Sequence, residues 1–140
     1  MNINSVFEKY SHSFDLAGRL FIAFIFIRSP IRKILGYERF QGILVDHGIA
    51  SQLLPVVILF ELGCGLAMAL GWQTRMAAFA LAGFTALATF IFHWDWESHF
   101  SVYLLFSKNI AIFGGLLFIA GHGAGKYSLD HYFSGTIDER

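Results

Sequence analysis

One carboxylate, Glu61, lies inside an apolar stretch of the sequence that is long enough to cross a lipid bilayer. The stretch covers residues 53–70 and contains no other charged side chain. A charge near the middle of a bilayer costs roughly 2.5–3.5 kcal/mol on insertion scales, so such residues usually face a bundle interior and find a polar partner. Glu61 is therefore the first candidate for a binding, proton-exchanging or helix-joining role.

Four further polar residues can reach the depth of Glu61 if the apolar stretches are helices. At a rise of 1.5 Å per residue, Glu61, Arg28 and Lys108 lie roughly 13, 10 and 9 Å from the same face of the membrane. His93 ends the third apolar stretch on that side, and Asn109 follows Lys108. A lone buried carboxylate would take up a proton, so we expect Arg28 or Lys108 to pair with Glu61. Arg28 is the better permanent partner, because its guanidinium binds carboxylates through two parallel hydrogen bonds.

This polar layer has two interpretations, which the residues alone leave open. It can bind a ligand or a proton, with Glu61, Lys108 and Asn109 among the lining groups. It can also serve only to fix the register between helices, as polar core residues do in coiled coils.

Other motifs predict no cofactor or metal site. His93, Asp95, Glu97 and His99 alternate along a loop, which is not a recognised ligand pattern. The glycine-rich residues 121–126 follow a predicted helix rather than open one, so they do not resemble a phosphate-binding loop. No ligand set for haem, flavin or iron–sulfur occurs, and no catalytic triad is found.

The composition indicates lipid as the solvent of this chain. Of 140 residues, 56% are hydrophobic and only 14% are charged, against about 25% charged residues in an average soluble domain. The formal net charge is zero, so no nucleic-acid partner is predicted. The single cysteine, Cys64, excludes an intramolecular disulfide. The chain is predicted to be an integral membrane protein with the lipid bilayer as its first partner.

Four apolar stretches have the length of membrane-spanning helices, which need about 20 residues each. The predicted spans cover residues 16–35, 52–71, 76–92 and 102–120. Between the first two spans, apolar residues recur at helical spacing in 36–51, which predicts a short amphipathic helix at the membrane interface. The predicted fold is all-α: one domain over 1–140, an integral membrane four-helix up-down bundle with a short interfacial helix between spans 1 and 2.

The ends of the chain carry weaker signals. Arg19, near the start of the first span, is expected to extend its guanidinium to the lipid head groups. Residues from Gly121 onward are polar and glycine-rich and are interpreted as a tail. The ten Lys and Arg residues divide equally between the two sides, so the positive-inside rule gives only a lean towards both termini in the cytoplasm.

These residues also resemble the pattern of the DoxX family of small four-helix bacterial membrane proteins. The segments that carry the resemblance are the first span leading into 32–40, then 60–75, 92–93, 106–117 and 123–130. Glu61 and the Lys108-Asn109 pair before Gly-Gly-Leu-Leu are its most specific parts. The chain departs from the pattern at Arg28-Ser29-Pro30, where small residues are more usual.

The resemblance implies a multi-pass protein of the bacterial inner membrane, associated with respiratory or sulfur redox chemistry. It implies a subunit or membrane partner of a quinone-linked oxidoreductase, with a polar layer that binds a quinone or the partner. Two alternatives stay open beside it. One is a small proton-coupled transporter that uses Glu61 and would need a homodimer. The other is a purely structural membrane protein.

Overall fold

The computed structural model of the protein describes residues 3–95, 97 and 99–137. These residues form six α-helices and one 3₁₀ turn, without a strand among them. The helices are α1 (Ile3–Leu35), α2 (Tyr37–Asp46), α3 (Leu54–Leu70), α4 (Thr74–Phe92), α5 (Phe100–His122) and α6 (Leu129–Ile137), and the 3₁₀ turn is Ser51–Leu53. The all-α prediction is confirmed.

Three helical segments are long and apolar enough to cross a membrane. They are Ser51–Leu70, which joins the 3₁₀ turn to α3, then Thr74–Phe92 and Phe100–His122. Basic residues interrupt the apolar part of α1 at Arg19, Arg28, Arg32 and Lys33. The crossing of α1, and with it the four-helix up-down bundle, remains a prediction.

The long helices pack in pairs, α1 along α3 and α4 along α5, and α3 joins the pairs by contacting α4. Their common core contains Met68, Leu81 and Leu116, all fully buried. Glycine lets the backbones approach closely, since a Cβ added at Gly65 on α3 would lie 3.1 Å from Cβ of Phe26 on α1. Small residues at such crossings are the usual means of tight helix packing in lipid.

Helix α2 forms in the polar stretch where the sequence predicts a short helix. Its one buried residue, Leu44, packs against Leu54 and Ile58 on α3, and Phe92 at the end of α4 joins this second cluster. α2 is thus attached to the main body by an apolar contact. Its position at a membrane interface remains a prediction.

Arg19 differs from expectation, because it is buried rather than extended to the head groups. Only 2% of its surface is exposed. Its guanidinium donates hydrogen bonds to the carbonyl oxygens of Ala124 and, at 2.7 Å, Tyr127. The residues after α5 fold back over α1 and supply these acceptors, so the guanidinium needs no head group.

The segment interpreted as a tail contains helix α6, which is attached to the turn between α3 and α4. The Asp130 carboxylate accepts hydrogen bonds from the backbone N–H groups of Gln73 at 2.7 Å and Thr74 at 2.9 Å. The Asp130 N–H donates to the Gly71 carbonyl at 2.8 Å. Asp130 thereby satisfies N–H groups that the start of α4 leaves free, at the helix end that favours negative charge.

Candidate functional site

Helix α3 directs Glu61 towards the interior of the protein. The buried residues Ile58, Glu61, Gly65 and Met68 recur at helical spacing and form the face of α3 that packs inward. Glu61 is 3% exposed. The burial that the sequence predicts for this carboxylate is therefore observed.

The partners of Glu61 are Lys33 and Ser29, one turn apart on α1. The Lys33 Nζ group forms a salt bridge with Glu61 Oε2. The Ser29 hydroxyl donates to Glu61 Oε1 at 3.2 Å, and Lys33 Nζ also donates to Ser29 Oγ at 2.9 Å. The three side chains form a closed polar triangle between two apolar helices.

The predicted partners, Arg28 and Lys108, are not the residues that contact Glu61. Arg28 is exposed on α1 and Lys108 is exposed on α5. Depth along a helix can be counted from the sequence, but adjacent residues differ by about 100° around the helix axis. Arg28 therefore points away from α3, whereas Ser29 and Lys33 share the side that faces it.

His93 follows the last residue of α4, and Lys108, more than two turns into α5, lies near enough to act on it electrostatically. Burial lowers the pKa of His93, and the positive charge of Lys108 lowers it further. His47, after α2, makes an edge-to-face contact with Phe92, with ring centroids 4.8 Å apart. The end of α4 thus collects a lysine and two histidines on the same side of the protein as the Glu61 triangle.

Asn109 lines a groove of about 200 Å³ between α4 and α5. Half of the residues that line it are aromatic: Phe90, Trp94, Phe106 and Phe113. The Thr89 hydroxyl, also in the wall, already donates to the Thr85 carbonyl at 2.6 Å. Within the described part of the chain the side-chain amide of Asn109 has no hydrogen-bond partner, so this group is available to a ligand in the groove.

The predicted polar layer therefore divides into two sites. Glu61 belongs to the α1–α3 pair with Lys33 and Ser29, whereas Asn109 belongs to the α4–α5 groove. Lys108 precedes Asn109 within α5, and His93 follows the end of α4. Ser29 and Lys33 were not predicted as partners of Glu61. The available signal was their i, i+4 spacing, which continues the inward face of α1.

A wider cleft of about 860 Å³ opens where α6 folds back beside the α3–α4 turn. Arg75, His122, His131 and Asp130 are among its lining residues. The Asp130 carboxylate is occupied by the first N–H groups of α4. None of the residues predicted for the polar layer lines this cleft.

Comparison with known proteins identifies one family and one curated relative. The DoxX family model matches residues 14–94, a range that includes Lys33, Glu61 and His93. The protein named "Inner membrane protein YqjF" from Escherichia coli (strain K12) is 40% identical over 115 residues, which cover 82% of this chain and 88% of that protein. No solved structure matches the chain. Together with the three apolar helices, these matches place the chain in the bacterial inner membrane as a multi-pass protein.

Proposed function

This chain belongs to the DoxX family of inner-membrane proteins, and we propose that it is a subunit or membrane partner of a quinone-linked oxidoreductase. In this proposal the quinone head group occupies the groove between α4 and α5. The partner enzyme supplies the electron-carrying cofactor, because the sequence offers no ligand set for haem, flavin or iron–sulfur. We assign no electron transfer to the chain itself.

The observation that carries the proposal is the aromatic groove with one available amide, Asn109. A quinone head group is a flat ring whose two carbonyl oxygens accept hydrogen bonds. Aromatic side chains pack well against such a ring, and the Asn109 NH₂ group can donate to one of its carbonyls. Sites that enclose whole ligands measure about 300–1,000 Å³, so a groove of about 200 Å³ suits the ring alone and leaves the apolar tail in lipid.

The groove can be tested by measuring the quinone that co-purifies with the protein in mild detergent. Replacing Asn109→Leu removes one hydrogen bond of about 1 kcal/mol, which corresponds to about fivefold weaker binding. We expect the Asn109→Leu protein to retain about fivefold less quinone per mole than the wild type. The measurement is organic extraction followed by chromatography with absorbance detection.

Ala111→Leu is the matched control, since residue 111 is exposed on α5 and does not line the groove. It should keep the wild-type quinone content. Equal quinone content in the wild type and in Asn109→Leu would overturn the proposal, as would a wild-type protein that carries no quinone.

A second role is supported by the closed geometry around Glu61. The carboxylate already accepts hydrogen bonds from Lys33 and Ser29, so it has a partner on each oxygen without any ligand. An ion pair of this kind can hold α1 and α3 in one register. In that case Glu61→Gln lowers the stability of the protein and leaves its quinone content unchanged.

A further inference from the structure

One face of α1 carries an apolar stripe that the rest of the protein leaves uncovered. Ile3, Phe7, Tyr10 and Phe14 begin it, and alternating steps of three and four residues continue it to Leu35. Every position of this outer stripe is exposed, and all are apolar except Arg28. A seven-residue repeat of this kind is the pattern by which one helix packs against another.

The opposite face of α1 makes the contacts with the protein. Arg19 and Phe26 on that face are buried, and Lys33 binds Glu61. These three positions are themselves seven residues apart, halfway around the helix from the outer stripe. The outer stripe is therefore turned away from α3 and from the segment after α5.

The first part of the outer stripe extends beyond the body of the protein. Arg19 marks the level of the α3–α4 turn, because its guanidinium would lie 2.9 Å from a Cβ added at Gly71. Ile3 precedes Arg19 by roughly 24 Å at helical rise. If α1 crosses the membrane, the head-group layer covers only about 5–8 Å of this length. Lipid thus accounts for Phe21 and Phe24, but it does not cover Ile3 and Phe7.

We propose that the outer stripe of α1 binds a transmembrane helix of a partner subunit, and that this helix bears a carboxylate opposite Arg28. The repeat runs unbroken from the aqueous part of α1 into its membrane part, which fits a helical partner of similar length. Arg28 forms no ion pair with any described residue of this chain. A buried Arg within an apolar seam needs a carboxylate to bind.

A second copy of this chain fits the outer stripe less well than a partner with a carboxylate. Two-fold pairing through equal stripes would bring one Arg28 against another, and like charges at an interface suppress association. The carboxylates of α1 lie at Glu8 and Asp15, neither of which belongs to the outer stripe. This inference rests on the partner half of the proposed function and does not depend on the quinone groove.

Photo-crosslinking in intact membranes tests the outer stripe directly. p-Azidophenylalanine replaces Tyr10 on the stripe or, as the control, Glu8, which lies about 200° around the helix from Tyr10. We expect the probe at position 10 to give one discrete adduct with a protein whose sequence contains an apolar span with a carboxylate. The probe at position 8 should not give this adduct.

Charge exchange identifies the role of Arg28. Arg28→Glu should lower the yield of the position-10 adduct by about tenfold, because two carboxylates then face each other. Replacing the carboxylate of the captured partner with Lys should restore the adduct. Arg39→Glu makes the same charge change at an exposed position of α2 and should leave the yield unchanged.

The inference is overturned by an adduct between two copies of this chain, by adducts with lipid alone, or by the absence of an adduct. It is also overturned if Arg28→Glu does not change the yield or if the exchanged partner does not restore it. Quinone content, measured on the same Arg28→Glu preparation, should equal that of the wild type. If Asn109→Leu loses quinone but no adduct forms, the proposal of quinone binding in the groove is supported and the proposal of partner binding by the outer stripe is rejected.

Discussion

The Lys33–Glu61 salt bridge joins α1 to α3 at a place where neither charge could be buried alone. Glu61 retains 5% of its side-chain exposure and Lys33 retains 16%. Removing one member of a buried ion pair leaves an uncompensated charge, whereas replacing both members with apolar residues is often tolerated. Loss of one of the two charges should therefore destabilise the fold more than loss of both.

We expect Lys33→Met to lower the free energy of unfolding by about 3 kcal/mol, since the Glu61 carboxylate then lacks its cation. The double variant Lys33→Met/Glu61→Leu should recover most of this loss. Arg28→Met, at an exposed position of the same helix, should unfold like the wild type. The measurement is unfolding of the detergent-solubilised protein by heat or SDS, and equal stability of Lys33→Met and wild type would contradict the prediction.

Asp130 gives the structure a contribution that depends on pH. Burial raises the pKa of its carboxyl group, but hydrogen bonds from Thr74 and Gln73 and the charge of Arg19 outweigh burial and lower it below 3.8. Because the folded pKa is lower than the unfolded one, the contribution is complete above about pH 4 and is lost as the pH falls through the folded pKa.

The difference in melting temperature between wild type and Asp130→Asn should therefore be constant near neutral pH and shrink below pH 3.8. Asp46→Asn, at an exposed position of α2, is the control and should not show this dependence. Melting curves recorded between pH 3 and pH 7 test this directly. A difference that stays the same across this range would show that the Asp130 charge does not stabilise the fold.

At the scale of elements, the close approach between the α3–α4 turn and the segment before α6 depends on one glycine. Gly71 ends α3 with φ +72°, and a Cβ added there would lie 2.9 Å from the Ser128 Cα. A residue with a side chain would therefore meet both a left-handed backbone, which costs about 1–2 kcal/mol, and an occupied space.

Gly71→Ala should loosen the segment that follows α5 and increase its cleavage by protease several-fold. Gly63→Ala is the control, because Gly63 is in α3 and a Cβ there would have no atom within 4 Å. Limited proteolysis followed by mass spectrometry identifies the cleaved segment. Equal cleavage of the two variants would mean that the approach at Gly71 does not hold the segment in place.

A helix could be predicted from the sequence when its apolar pattern was long and regular. Helices α3, α4 and α5 follow long apolar runs, so their existence was clear. Helix α6 was missed because a glycine-rich stretch precedes it and its signal is short: Leu129, Tyr132 and Phe133 at helical spacing. Apolar runs indicate that a segment is a helix, but they say little about short amphipathic helices that are held by tertiary contacts.

The partner of Glu61 could not be predicted from depth along the helices alone. Arg28 and Lys33 both come within reach of the correct depth, and only the rotation of α1 decides between them. The buried Phe26 and Pro30 fix that rotation, but their burial depends on the packing of α1 against α3. Glu61 could thus be identified from the sequence of its own helix alone. Identifying its partner requires knowing how α1 packs against α3.

At the scale of the whole molecule, the part of α1 around Arg19 and the segment after α5 lie at the same end of the helix pairs. Arg19, in α1, binds carbonyl groups that follow α5. Three helices between Ser51 and His122 are long and apolar enough to cross a membrane. If all three cross, α1 is expected to supply a fourth crossing.

We expect cysteines introduced at Ser5 and Ser134 to react with a membrane-impermeant maleimide from the same side of the membrane. The background is Cys64→Ser, which removes the single native cysteine. Asp46→Cys on α2 should react from the opposite side and serves as the control. Labelling of positions 5 and 134 from opposite sides would show that α1 does not cross.

The contact between Arg19 and the carbonyl groups of Ala124 and Tyr127 also sets an order of events during synthesis. These acceptors leave the ribosome 105 and 108 residues after the arginine. Until then the guanidinium has to stay hydrated, so α1 can reach its final depth only after residues 124–127 have been synthesised. A chain that stops before residue 124 could insert its apolar helices and still present an uncovered cation. The arginine thus makes chains that lack residues 124–127 chemically different from chains that contain them.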